Sequence, residues 1–334
     1  MRLPACLHSR VHRISPWIAG LLALAGCALA PHAPTPHWRP GVPMLDARAA
    51  HAVAANESSI IAVAGTNAAG RPVLDVERFD GTRWTRIATL PTEAAGGLNA
   101  PAAAFLGDAL VLSGGFSATS NRPVANVWAL DSRNGTWRPL PPMPAPRGGH
   151  AMVAWKGRLH IVGGGNDRST LADHLAYDPA TGTWRTLAPL PRSKGSPALV
   201  VAGGELVALG GRSGWDDFGD AHRYDEARDQ WQPLASIAPR GTAGAVALCG
   251  RVWLIGGESQ AEKRVLDRVE TMGERALLDG AAWLPGPPLP TPRAFARAVV
   301  FKSRVHVVGG AVAYGASHQP LGSAVVEVLE GDCH

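Results

Sequence analysis

His150-Ala151-Met152-Val153-Ala154-Trp155, then Lys156-Gly157-Arg158, then Leu159-His160-Ile161-Val162-Gly163-Gly164: an alternating run, a tight turn, and an apolar run ending in a glycine pair. Period-two alternation between Gly and Pro punctuation is the signature of hairpin strands. His174 to Tyr177 reads as a third strand and Asp178-Pro179-Ala180-Thr181-Gly182 as a turn. Trp184 then opens a fourth strand that leaves through Pro189-Leu190-Pro191. This unit recurs. Glycine pairs stand at Gly114-Gly115, Gly163-Gly164, Gly210-Gly211, Gly256-Gly257 and Gly309-Gly310, and a degenerate copy ends at Gly65. Trp84, Trp137, Trp184, Trp231 and Trp283 follow, each about twenty residues later. A period near fifty residues predicts four-stranded blades packed radially as a β-propeller.

The last copy runs from Ala298 to Gly310 and from Ala324 to Leu329, and has no Trp strand. The missing piece has a match at the other end: Trp38-Arg39-Pro40-Gly41-Val42-Pro43-Met44 is similar to Trp137-Arg138-Pro139-Leu140-Pro141-Pro142-Met143. The expectation is an all-β, six-bladed propeller over residues 38–334, its last blade closed by the N-terminal strand.

Ahead of the propeller, Arg2, Arg10 and Arg13 form a basic n-region and Trp17 to Ala25 an apolar stretch of secretory length. Leu24-Ala25-Gly26-Cys27 resembles the lipobox of bacterial lipoproteins. That resemblance implies a signal peptide over 1–26 and lipid on Cys27. With Ala28 rather than Asp next, it implies the periplasmic side of the outer membrane, held by the lipid anchor only. Cleavage after Ala30 is the alternative, and it would discard Cys27. Residues 27–37, rich in Pro, read as a tether. Removing three arginines leaves 29 basic against 27 acidic residues, a net charge of +2 in place of +5, so no global charge argues for nucleic acid. Cys249 and Cys333 would lie in an oxidising compartment where a disulfide is permitted; their pairing is open.

The repeat resembles the kelch superfamily over roughly residues 38 to 332. In a propeller the loop entering the first strand and the loop after the glycine pair share one face. There the sequence places Arg147, His150, Arg192, Lys194, Arg212, Trp215, Arg240, Glu258, Arg264, Arg293, Arg297, Tyr314 and His318. Cations dominate, which predicts an anion-attracting opening. Kelch repeats also carry such an Arg in Pro-Arg-Gly or Pro-Arg-Ala settings, as at Arg147, Arg240 and Arg293, where it can bridge blades through backbone carbonyls. Trp215 could stack on a sugar or pack on a neighbouring blade.

Gly241-Thr242-Ala243-Gly244-Ala245, Trp253-Leu254-Ile255-Gly256-Gly257-Glu258 and Arg264 resemble the bacterial N-acetylneuraminate epimerases, or mutarotases. Arg293-Ala294-Phe295 and Gly149-His150 add to the likeness. It implies Glu258 and Arg264 as catalytic, and with the residues on the loop face it makes Arg147, His150, Arg240, Arg293 and Trp215 the candidate ligand contacts. The reaction implied is anomer interconversion through the open keto form, with no cofactor. The sequence departs from that family at Gly97-Leu98-Asn99-Ala100, where the family has Pro-Arg-Asp-Gln, and it lacks the family's middle-blade insertion. A non-catalytic scaffold binding an anionic sugar, an envelope glycan or a protein partner is the alternative. Scattered His without zinc spacing and the absence of a nucleophile elbow argue against metal and hydrolase chemistry. Copper oxidation is disfavoured because Tyr177 and Tyr224 hold regular third-strand positions.

Overall fold

Small apolar residues alternate along the first strand of every repeat, and such strands pack closely side by side around an axis. The computed structural model, described over residues 35–274, 282–315 and 321–331, contains six four-stranded antiparallel sheets. Cys27, His318, Cys333 and the segments read as signal peptide and most of the tether lie outside the described residues. The innermost strands are Ala52–Ala55, Ala102–Leu106, Ala151–Trp155, Ala198–Ala202, Gly244–Leu248 and Arg297–Phe301. Each packs beside the next, and the last packs beside the first. Among the described residues no helix is long and apolar enough to cross a membrane.

The ring closes as the sequence predicts. His37–Pro40 pairs with Val326–Glu330, setting Trp38 opposite Leu329 and Arg39 opposite Val328. A strand from one end of the chain thus completes a sheet made by the other, and gives the last blade the same four strands as the rest.

The tryptophan period has a structural cause. Each indole N–H donates to a carbonyl at the exit of the preceding blade's outer strand. The bonds run from Trp84 to Val42 at 2.9 Å, Trp137 to Thr89 at 2.7 Å, Trp184 to Pro141 at 3.0 Å, Trp231 to Ala188 at 3.0 Å and Trp283 to Ala235 at 2.8 Å. Trp38 completes the circle on Pro287 at 2.9 Å. The indole buries an apolar body between sheets and satisfies its single donor on the neighbour. Phe79, Tyr177 and Tyr224 sit directly opposite Trp84, Trp184 and Trp231 in the ladder, with ring centroids 5.1 to 5.2 Å apart. This confirms the packing position expected for the two tyrosines.

The core is divided among the gaps between blades. Ala102, Ala104, Val111 and Val127 of the second blade, for example, pack against Met152, Leu159, Ile161 and Leu175 of the third.

Candidate functional site

The glycine pairs position the loop face. The first glycine of each pair has φ between 55° and 64° and the second between 96° and 113°, and Ala64-Gly65 keeps the same geometry at 63° and 85°. The second glycine has no room for a side chain. A Cβ at Gly257 would stand 2.6 Å from the Gly241 carbonyl, and one at Gly310 would stand 2.7 Å from that of Ala294. Its N–H instead bonds to the next blade. Gly65 reaches Leu98, Gly115 reaches Arg147, Gly164 reaches Lys194, Gly211 reaches Arg240, Gly257 reaches Arg293 and Gly310 reaches Arg48, all at 2.8 to 3.0 Å.

Three of these six acceptor positions hold the expected arginines, Arg147, Arg240 and Arg293, and the structure gives them an internal role. Arg48, Arg147, Arg240 and Arg293 are at most 1% exposed. In each, Nη1 donates to the carbonyl sixteen residues on, that of Ala64, Gly163, Gly256 and Gly309 respectively. Each also meets an acid from its own blade: Arg48 with Glu77 at 2.8 Å, Arg147 with Asp173 at 2.7 Å, Arg240 with Glu270 and Arg293 with Glu327. Lys194 takes the place in the fourth blade and reaches Asp220 at 2.7 Å. Arg147, Arg240 and Arg293 therefore do not line an opening as ligand contacts. Their guanidiniums are enclosed, and each already has a carboxylate beside it to match its charge. Arg48 belongs to the set and was missed because Ala47-Arg48-Ala49 lacks the preceding proline. Its signal was the sixteen-residue spacing to Ala64.

The mouth itself is not a basic concavity. One residue per blade crosses nearest the axis: Ala50, Ala100, Gly149, Ser196, Thr242 and Phe295, all with positive φ. Backbone bonds link four of the steps, from Ala100 N–H to Ala50, Gly149 to Ala100, Ser196 to Gly149 and Thr242 to Ser196, at 2.7 to 3.2 Å. Ala50, Ala100 and Phe295 form a buried apolar cluster on which Phe116 of the second blade and Val265 of the fifth both pack. The cluster runs through neighbouring blades, from the second past the first and sixth to the fifth, and forms an apolar cap along that side of the mouth.

His150 is buried beneath this cap, its Nε2 2.8 Å from Ser113 Oγ. Burial, aided by Arg147 and Arg297, depresses its pKa to about 3, so it stays neutral and is no ligand for an anion.

Glu258 and Arg264 occupy the two strands of a small hairpin in which Glu258 faces Val265 and Ser259 faces Arg264. Cross-strand partners share a sheet face and adjacent residues do not, so the two side chains project from opposite faces. The pair is therefore not assembled as one site. Arg264 is half exposed and bonds Glu262 at 2.8 Å. Glu258 is wholly buried, with Oε1 on Arg212 Nη1 and no hydrogen-bond partner for Oε2 among the described residues. Beside them, Asp217 Oδ2 accepts the Gln260 N–H at 2.5 Å, and Oδ1 has no partner among the described residues. Burial pushes the Asp217 carboxyl above the usual carboxylate range; Gln260 N–H and Arg212 oppose this and Glu258 adds to it. Arg212 and Asp217, absent from the expected catalytic pair, are the true neighbours of Glu258. They became visible only once the hairpin Arg212–Ser213 paired with Asp216–Asp217.

Trp215 tips that hairpin and is 83% exposed, so it does not pack on a neighbouring blade. Next to it, Arg192 stacks 4.5 Å from the Phe218 ring. Cys249 is disulfide-bonded, and its partner lies outside the described residues. Among the described residues no group of three His, Cys, Asp or Glu is placed to hold a metal ion.

Comparison with known proteins follows the same line. A family model described as the KLHDC2/KLHL20/DRC7 Kelch-repeats domain matches residues 35–197, and the Kelch motif model matches residues 195–237. The kelch repeat-containing protein At3g27220 of Arabidopsis thaliana is 39% identical over 66 residues, 19% of this chain and 16% of that protein. The chain thus aligns with a small part of that relative. The solved structure titled "Structure of YjhT" superposes with a TM-score of 0.72 over 87% of this chain and 99% of that one, at 15% identity, a likeness of fold. This chain is a kelch-repeat protein folded as a six-bladed β-propeller.

Proposed function

We propose that the protein is an exported, lipid-anchored propeller that binds an acidic carbohydrate on the face of its long loops, as a recognition module rather than a catalyst. The observation that carries this reading is Trp215, an indole 83% exposed at the tip of a paired hairpin. A rigid hairpin presenting a bare aromatic face suits stacking on a pyranose ring, and the exposed Arg192 on the adjoining loop suits a sugar carboxylate. The opposed faces of Glu258 and Arg264 weigh against the catalytic pair that the epimerase resemblance implies. The test is titration of the purified protein with sialylated and uronic-acid oligosaccharides, read by Trp fluorescence and calorimetry. Trp215→Ala should weaken binding by about tenfold, the worth of ~1.4 kcal/mol of stacking, without loss of stability. Equal affinity in the variant would refute the role of Trp215.

A second reading, sialate mutarotation, is favoured by one observation: Glu258 Oε2 and Asp217 Oδ1 are buried beside Arg212 without hydrogen-bond partners among the described residues. In that case Glu258, with Arg212 rather than Arg264, would pass a proton between the anomeric hydroxyl and the ring oxygen. Proton NMR of freshly dissolved N-acetylneuraminate separates the two. Acceleration abolished in Glu258→Gln supports mutarotation, and an uncatalysed approach to equilibrium in the presence of binding supports the recognition module.

A further inference from the structure

Beneath the apolar cap the six innermost strands surround a cavity of about 340 Å³. Each of these strands is the end strand of its sheet, so one edge of its backbone, with alternate N–H and C=O groups, faces the channel unpaired by any other strand. Side chains along the wall are small and apolar, as at Ala54, Ala104, Ala154 and Ala245. One charged residue stands among them. Arg297 opens the innermost strand of the sixth blade, directly below the cap, and its Nε donates to the His51 carbonyl at 2.7 Å.

The remaining guanidinium edge has no carboxylate. Among the described residues the buried cations between the blades each have their own acid: Arg48 has Glu77, Arg147 has Asp173, Lys194 has Asp220, Arg240 has Glu270 and Arg293 has Glu327. Arg297 has neither an ion pair nor a second hydrogen bond among the described residues, and its terminal nitrogens are not sealed in protein. The facing ionisable groups do not compensate it, since His51 and His150 are held neutral and are themselves depressed by its charge. With no counter-charge beside Arg297, its planar fork of free N–H donors fits a carboxylate or phosphate head group in bidentate fashion.

We infer that the central channel is an anion site, in which a small oxyanion seats on the free guanidinium edge of Arg297. Unpaired N–H groups of the innermost strands supply further donors, and the alanine walls limit the guest to a small molecule. The site is separate from the loop face and does not depend on what binds there.

Two measurements test it. Crystals of the protein soaked in bromide should show an anomalous peak within hydrogen-bond reach of Arg297, displaced by the tighter-binding oxyanion. Calorimetric titration at constant ionic strength, with acetate and formate in one arm and inorganic phosphate in the other, should give Arg297-dependent binding in at least one arm. The arm that binds identifies the head group. Arg297→Gln should weaken that binding by about tenfold or more, and Arg297→Lys should retain part of it. Should Arg297→Gln not fold, the wild-type bromide map decides alone. A channel holding only water in that map, or anion binding of equal strength in a folded Arg297→Gln protein, would overturn the assignment.

Discussion

Replacing Arg293 by methionine should unfold the propeller more readily, whatever the protein binds. Arg293 is fully buried. It donates to Thr291 O at 3.3 Å, Gly309 O at 2.9 Å and Val325 O at 2.8 Å, and it neutralises Glu327, whose side chain is 7% exposed. Methionine keeps the apolar stem but removes the donor from the buried Gly309 carbonyl, and it leaves a buried carboxylate whose one other bond comes from Thr291 Oγ1 at 2.8 Å. Removing one partner of a buried pair costs about 3–5 kcal/mol. The second blade shows how the same place is filled without charge. Leu98 takes the cation position, and the third strand there, Val127–Asp131, is preceded by Asn126 and opens with Val127 and Trp128, so cation and acid are absent together. Arg293→Met combined with Glu327→Gln should therefore cost less than the sum of the single changes, with a coupling of about 2 kcal/mol. Urea unfolding followed by Trp fluorescence measures all three. Arg264→Met is the control, since its half-exposed ion pair is worth ~1 kcal/mol at most. If Arg293→Met falls within about 1 kcal/mol of wild type and the single changes add, the residue is no interblade clasp, and the ligand-binding role expected for it would return.

Two further predictions concern stability. His150 is neutral in the fold with a pKa near 3, and His306, also depressed chiefly by burial, has one near 4, against an ordinary 6.5. Below pH 6.5 the unfolded chain takes up protons that the fold refuses. Their stabilisation is thus complete above pH 6.5 and falls as pH drops toward 3, by about 1.4 kcal/mol per pH unit for each group around pH 5. Urea midpoints at pH 7.5 and 5.0 should show this slope, and His150→Asn should reduce it; an unchanged slope would contradict the burial argument. Gly257→Ala should cost more than ~2 kcal/mol, because φ is 99° and the new Cβ would strike the Gly241 carbonyl. Gly157→Ala, with φ of 75° and open space around it, should cost about 1 kcal/mol. Equal costs in a denaturation series would refute the close approach.

Much of the fold was legible in the chain because its signals are local and repeat. Alternating apolar residues, glycine pairs and one Trp per unit each report on a strand or turn a few residues long, and six copies reinforce one another. Even the closure between His37–Pro40 and Val326–Glu330 could be read, since the displaced strand keeps the sequence of its siblings. The candidate site was much less legible. Pro146-Arg147-Gly148 reads the same whether its guanidinium points at solvent or at the Gly163 carbonyl, and the deciding partner, Asp173, lies 26 residues away with no fixed spacing across blades.

The sequence alone therefore determined the architecture, the blade count, the closing strand and the face on which the loops gather. Only the tertiary structure decided which side chains are free. Packing between sheets enclosed the arginine ring and capped the mouth with Phe295. Hairpin register put Glu258 on Arg212 and turned Arg264 away, and the lack of a nearby acid left Arg297 facing the channel. Backbone periodicity is a property of neighbours along the chain, whereas burial and charge pairing depend on residues brought together from different blades.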